Sequence, residues 1–157
     1  MSDDNTDMIQ PFSDEYFMKS AFQQAINAFE KKEVPVGAVI VSKNKIIARA
    51  HNLTEQLNDV TAHAEMQAIT AAANHLGSKY LTKCTLYVTL EPCGMCAVGL
   101  AWSQIGRIVF GASDLNRGYR AINPKMLHPK TEVTKGIMAD ESSALLKQFF
   151  QERRSDS

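Results

Sequence analysis

The sequence predicts a single α/β domain in which a mixed sheet of about five strands is covered by helices. Two observations lead there. Apolar residues at helical spacing alternate with short β-branched runs, in the order helix, hairpin, helix, strand, helix, strand. The length of 157 residues suits one domain, and 45% hydrophobic with 22% charged residues is the composition of a globular chain.

Residues 1–12 read as a mobile polar tail ahead of a domain spanning 13–154. Ser13 suits a helix N-cap, and Asp14 and Glu15 follow where the helix dipole favours negative charge. Met18, Ala21, Phe22, Ala25, Ile26 and Phe29 then form an amphipathic stripe against a core, broken at Pro35. Residues 36–42 and 45–50 flank Lys43 and Asn44 as a β-hairpin, and the polar stretch 51–60 is a loop. The alanine-rich segment 62–76 is a helix stopped by Gly77. Residues 84–90 are a buried strand, 93–103 a short apolar helix following Pro92, and 107–112 another buried strand. Residues 113–130 are irregular. A last short strand is expected at 132–134, then a helix at 139–153 that turns Leu145, Leu146, Phe149 and Phe150 inward.

Lys and Arg (17) balance Asp and Glu (17), so the net charge is zero, which argues against indiscriminate nucleic-acid binding. The zero is an average. Residues 1–15 hold five acids and no base, leaving 17 bases against 12 acids in the rest. The longest clean apolar run, 36–41, is far short of the roughly 20 residues that span a bilayer. The acidic start is unlike a signal or transit peptide. Three cysteines cannot close a disulfide framework, and two stand as Cys-x-x-Cys, which favours metal or redox use. A soluble, cytoplasmic protein with no membrane partner is expected.

Two segments carry chemistry. His63 and Glu65 open the second helix, and Cys93 and Cys96 open the third. An i,i+3 cysteine pair shares one helix face, and a helix N-terminus favours the thiolate form a metal needs. One imidazole and two thiolates suit zinc. Three ligands without a clear fourth suit a catalytic rather than a structural site. Cys84 reads as a small core residue. Glu65, two residues from His63, is placed better as an acid/base than as a co-ligand. A Cys-x-x-Cys alone also fits a thiol redox motif. His51 either lines the site or is a loop residue, His75 is a solvated helix-end residue, and His128 belongs to a turn.

His63-x-Glu65 with Pro92-Cys93-x-x-Cys96 is similar to the signature of zinc deaminases. In that chemistry zinc brings the pKa of a water to about 7, and a glutamate moves the water's proton to the ring nitrogen and the departing amino group. More widely, the chain resembles the bacterial tRNA-specific adenosine deaminases of the cytidine deaminase superfamily. The resemblance rests on residues 33–41 (EVPVGAVIV), His51 and Asn52, 61–65 (TAHAE), 86–96 (LYVTLEPCGMC), 105–112 (IGRIVFGA) and 149–154 (FFQERR). It implies a three-layer α/β/α sandwich of the cytidine deaminase-like fold, a homodimer, one zinc ion per chain held by His63, Cys93 and Cys96, and Glu65 as the catalytic residue. It also implies conversion of the wobble adenosine of a tRNA anticodon stem-loop to inosine. Asn52 would contact the base or ribose, Pro35, Val36, Ala62 and Leu90 would wall the pocket, and Asp114 would meet the nucleic-acid backbone. Arg153 and Arg154 match a basic helix end that grips the stem-loop.

Residues 114–129 (DLNRGYRAINPKMLHP) depart from the Gly-Ala-x-Gly-Ser type of loop usual at this place in the family. Between Arg117 and Lys135 five bases face one acid, and Tyr119 stands between Arg117 and Arg120 with a ring suited to stacking on an unpaired base. Two other readings stay open. One is a deaminase of free guanine, cytosine or cytidine with the same zinc site. The other is an inactive zinc-stabilised binding module, against which the intact Glu65 argues.

Overall fold

The computed structural model describes residues 9–156, so residues 1–8 of the expected tail lie outside the described residues. Phe12, later in that segment, has its ring centroid 6.3 Å from that of Phe17 in a stacked contact. Five strands form one sheet in the order β2-β1-β3-β4-β5, with β1 (Gly37–Ser42), β2 (Lys45–His51), β3 (Thr85–Leu90), β4 (Arg107–Ala112) and β5 (Glu132–Lys135). β1 runs antiparallel to β2 and β3, whereas β3, β4 and β5 are parallel. The hairpin turn holds Lys43 and Asn44 at φ 52° and 62°, the two left-handed residues of a type I′ turn.

Strand alternation builds the layers. Ala38, Ile40, Leu86, Val88, Ile108 and Phe110 project to one face, where α2 (Ala64–Leu76) and α3 (Gly94–Ser103) bring Ala64, Ala68, Ala72, Ala97 and Leu100. Val39, Val41, Tyr87 and Val109 project to the other, against Phe17, Met18 and Ala21 of α1 (Asp14–Glu30). The last helix, α5 (Ala139–Asp156), lies on that second face, its Phe149 ring edge-to-face with Phe29 of α1. Burial on both faces explains why the central strands read as continuous apolar runs.

Helix starts and stops follow local chemistry. Ser13 caps α1, its Oγ accepting the Tyr16 N–H at 3.2 Å. Gly77 ends α2 in the left-handed region. The face α1 buries is Phe17, Met18, Ala21, Ala25 and Ala28, and Phe22, Ile26 and Phe29 sit at its half-buried margins. The reason is a close approach. A Cβ on Gly37 would collide with the Ala21 carbonyl and the Ala25 nitrogen, so only small residues fit where helix and strand meet. In α5, Phe149 is buried and Leu145 and Leu146 half-buried, but Phe150 is exposed, against expectation. It falls on the side of the helix that borders a cavity described below. The segment 113–130 also holds a helical turn, α4 (Tyr119–Ile122), where an irregular path was expected. Among the described residues no helix is long and apolar enough to cross a membrane.

One polar cluster joins four elements. Arg107 donates to both carboxylate oxygens of Asp14, Nη1 to Oδ1 at 2.8 Å and Nη2 to Oδ2 at 2.7 Å. Arg107 Nη2 also donates to Thr134 Oγ1, and the Tyr87 hydroxyl donates to Asp14 Oδ1 at 3.0 Å. The Arg107 bonds hold the Asp14 carboxyl below its ordinary 3.8. A carboxyl held lower in the folded than in the unfolded chain contributes stability above the ordinary value and loses it as pH falls through the folded one. Asp14→Asn is therefore expected to lower stability by about 2 kcal/mol at neutral pH. In denaturant unfolding the gap between variant and parent should narrow as the pH is taken below 3.8, and a gap independent of pH would count against this account.

Candidate metal centre and active-site pocket

Two helix starts meet beside the sheet. His63 occupies the N-cap of α2 and Cys93 the N-cap of α3, and neither side chain caps its own helix. Both are thereby free to face outward, near first-turn N–H groups that favour negative charge. Cys96 lies one turn into α3. His63 Nδ1 stands 3.6 Å from Cys93 Sγ and 3.6 Å from Cys96 Sγ. All three donor atoms lie within 4.8 Å of one another. A tetrahedral zinc ion with ordinary Zn–N and Zn–S lengths sets an N···S edge of about 3.6 Å. The residues fit the ion. Among the described residues no fourth His, Cys or carboxylate joins the cluster, which leaves one coordination position for a non-protein group.

Electrostatics in the cluster follow from proximity and burial. The Cys93 thiol is pulled down to about 4, first by a hydrogen bond from Cys96 and then by the His63 imidazole. The bond to Cys93, together with burial, pushes the Cys96 thiol up. The bond to Cys93 raises His63. A metal ion that binds here must displace whatever protons the cysteines and the imidazole carry. Glu65, in the first turn of α2, is 4% exposed, and burial pushes its carboxyl up to about 7.

The cluster opens into a cavity of about 800 Å³. His63, Glu65 and Cys93 line it, with Val36, Asn52, Leu90, Asp114 and Arg117 of the residues expected there. Pro35 and Ala62 are buried but do not reach its surface; Val34 lines it instead. Asn52 donates through its amide nitrogen to Glu33 Oε1 at 3.4 Å and Thr54 Oγ1 at 3.3 Å. Asp114 Oδ1 accepts the backbone N–H groups of Asn116 and Arg117, closing the loop on itself.

Two expected RNA contacts are corrected. Tyr119 is only 2% exposed, packed into the larger core, so its ring has no free face for a base. Arg120 is half-buried, and its guanidinium is committed to Glu91, Nη2 to Oε1 at 2.9 Å. Arg117 is exposed. Arg153 stands 3.7 Å from Glu55 and lines a second cavity of about 770 Å³ with Lys31, Lys32, Phe29 and Phe149. Arg154 is exposed one residue on. His51 is buried, its Nδ1 2.9 Å from its neighbour Asn52's carbonyl oxygen, and takes no part in the cavity lining. His75 is exposed and Cys84 buried, as expected.

Sequence reasoning missed Glu33, Glu91 and the contribution of α5 through Ser143, Leu146 and Phe150. A signal existed for the two acids. Glu91 directly precedes Pro92 and Glu33 stands two residues before Pro35, each at the margin of an apolar run where a carboxylate is out of place without a dedicated partner. Cys96→Ser is expected to reduce bound zinc from about one ion per chain to a small fraction of that, read by elemental analysis after dialysis. Full zinc retention would remove Cys96 from the ligand set.

The profile of the cytidine and deoxycytidylate deaminase zinc-binding region matches residues 11–112. The chain is 44% identical over 147 residues to a tRNA-specific adenosine deaminase of Aquifex aeolicus, covering 90% of this chain and 97% of the relative. It is 43% identical over 146 residues to the Bacillus subtilis protein of the same name, covering 90% and 91%. A structure solved in studies of A-to-I editing by tRNA deaminases at the wobble position superposes with a TM-score of 0.77. It is 40% identical and covers 83% of this chain and 98% of its own. A guanine deaminase structure from Bacillus subtilis matches with a TM-score of 0.61 and 36% identity, covering 68% of this chain and 66% of its own. With the metal cluster, the fold and these relatives in agreement, the chain belongs to the zinc-dependent cytidine and deoxycytidylate deaminase family, alongside the bacterial tRNA-specific adenosine deaminases.

Proposed function

We propose that this protein hydrolytically deaminates the wobble adenosine of a tRNA anticodon to inosine. The observation that carries the reading is a buried carboxyl, Glu65, beside a three-ligand metal cluster at the edge of an open cavity. Similarity to tRNA-specific adenosine deaminases along 90% of the chain supports the substrate. The place of action is the cytoplasm, where such a substrate is found.

Bound zinc supplies Lewis acidity that brings the pKa of water to about 7. The rest falls to the chain's own groups. Glu65, with its carboxyl near 7, takes a proton from water and returns it to the ring nitrogen and then to the amino group. A C–O bond forms, the C–N bond breaks, and ammonia leaves. Asn52, its amide hydrogens committed to Glu33 and Thr54, offers a carbonyl oxygen to a substrate donor. Val36 and Leu90 give the base apolar walls. Arg117 on one rim, with Arg153 and Arg154 at the end of α5, offers charge to the flanking phosphates. An anticodon loop presents bases already unstacked, so little energy is needed to insert one.

The working unit we propose is a homodimer. Met95, Val98 and Trp102 lie at helical spacing on the outer face of α3, and Trp102 is 80% exposed. An exposed apolar stripe on the metal-bearing helix suits a second copy of the chain.

Glu65→Gln is expected to keep zinc and fold while lowering deamination by at least about 10³-fold. Mass spectrometry of anticodon stem-loops with a wobble adenosine, run beside free guanine, cytosine and cytidine, reads both activity and substrate. Turnover of guanine alone would favour the free-base reading, and full activity of the variant would remove Glu65 from the mechanism. Trp102→Glu should shift the protein from dimer to monomer in sedimentation; an unchanged dimer would place the contact elsewhere.

A further inference from the structure

Residues 113–117 line the same cavity as His63 and Cys93, yet they form turns with no strand or helix of their own. Asp114 closes the segment on itself, and one buried carboxylate ties it to the metal-bearing turn. Glu91 follows β3, immediately before Pro92 and Cys93, and is 3% exposed. Its Oε1 accepts the Asp114 backbone N–H at 3.1 Å and Arg120 Nη2 at 2.9 Å. Its Oε2 accepts the Arg120 backbone N–H and Nε, both at 3.1 Å. Four donors fill the about four lone-pair sites that a carboxylate offers. All of them come from the loop or from α4.

The clamp is closed from its other side as well. Arg120 Nη2 donates to Ser113 Oγ at 2.9 Å, and the guanidinium carbon lies 5.1 Å from the centroid of the Phe110 ring. Gly118 passes directly over the pair: a Cβ there would collide with Glu91 Cδ, Glu91 Oε2 and the Asp114 carbonyl. Tyr119 N–H bonds the Pro92 carbonyl at 2.9 Å, and Cys93 and Gly118 form an isolated bridge, so the same fold of loop touches the metal-bearing turn itself.

We infer that Glu91 and Arg120 are a positioning pair that holds the 113–117 wall of the pocket against the metal-bearing turn and so sets the orientation in which a nucleic-acid substrate reaches the reacting centre. Its kinetic consequence rests on the deaminase reading above; its structural consequence does not. Arg120 works inward on Glu91, while the exposed Arg117 is left to face phosphate. Removing the guanidinium leaves a buried carboxylate with two backbone donors and no countercharge, and the loop then opens more often.

The test uses the zinc-loaded full chain and the variants Glu91→Gln, Arg120→Gln and the double variant. Arg120 ends at the surface, so Arg120→Gln keeps the experiment decisive even where Glu91→Gln does not fold. Amide hydrogen exchange in residues 113–120 is expected to quicken about tenfold in each single variant. Single-turnover deamination of a wobble-adenosine stem-loop should fall about tenfold or more, with the salt slope of stem-loop affinity unchanged. The double variant should be no worse than the poorer single one, because one unit is being broken. Unchanged exchange, or a salt slope reduced by about one in Arg120→Gln, would overturn the proposal, the latter by revealing a direct phosphate contact. Failure of the unaltered protein to act on any stem-loop would refute the tRNA-deaminase reading while the exchange measurement still decides the clamp.

Discussion

The structure depends on two helix N-termini being brought to one point. His63 and Cys93 are thirty residues apart, and each is a cap residue that leaves its own helix uncapped in order to face the other. That arrangement needs α2 and α3 on the same face of the sheet, and alternation along β1, β3 and β4 puts them there. The alanines of α2 let the helix lie close to the strands, and the parallel β3–β4 pair fixes where α3 must begin. Nothing covalent holds the ligands; sheet register does.

How much of this the sequence declares varies with the range of the cause. Elements set by neighbours in the chain are legible: the Ser13 cap, the Lys43 and Asn44 turn and the Gly77 stop all form where side-chain chemistry places them. So is the metal cluster, because thiolate pairs and a histidine at helix starts have few other uses. Features decided by distant partners are not legible. Tyr119, between two arginines, looks like a stacking residue, and only the path of the loop shows it facing the core. Arg120 looks like surface charge, and its purpose is fixed by Glu91, twenty-nine residues earlier. The stripe on α1 is rotated from its expected centre because Gly37 draws Ala21 and Ala25 into closest contact.

Charge tells the same story at a larger scale. A net charge of zero conceals a few acids that work inside the protein. Glu33 and Glu91 are buried and bound to backbone N–H groups on either side of the cavity, and Asp14 is locked to Arg107. Arg117, Arg153 and Arg154 are exposed. What a substrate meets at the cavity rims is therefore different from what a count over the sequence suggests.

The order in which the cavity's parts leave the ribosome has a consequence of its own. All three metal ligands precede Gly106, but Ser143, Leu146 and Phe150 of the last helix are also needed to complete the cavity wall. During synthesis the chain can therefore acquire its metal-binding residues well before the pocket is finished. Once β4 has joined the sheet and before α5 is made, the ligands can assemble on a body whose cavity wall is still incomplete.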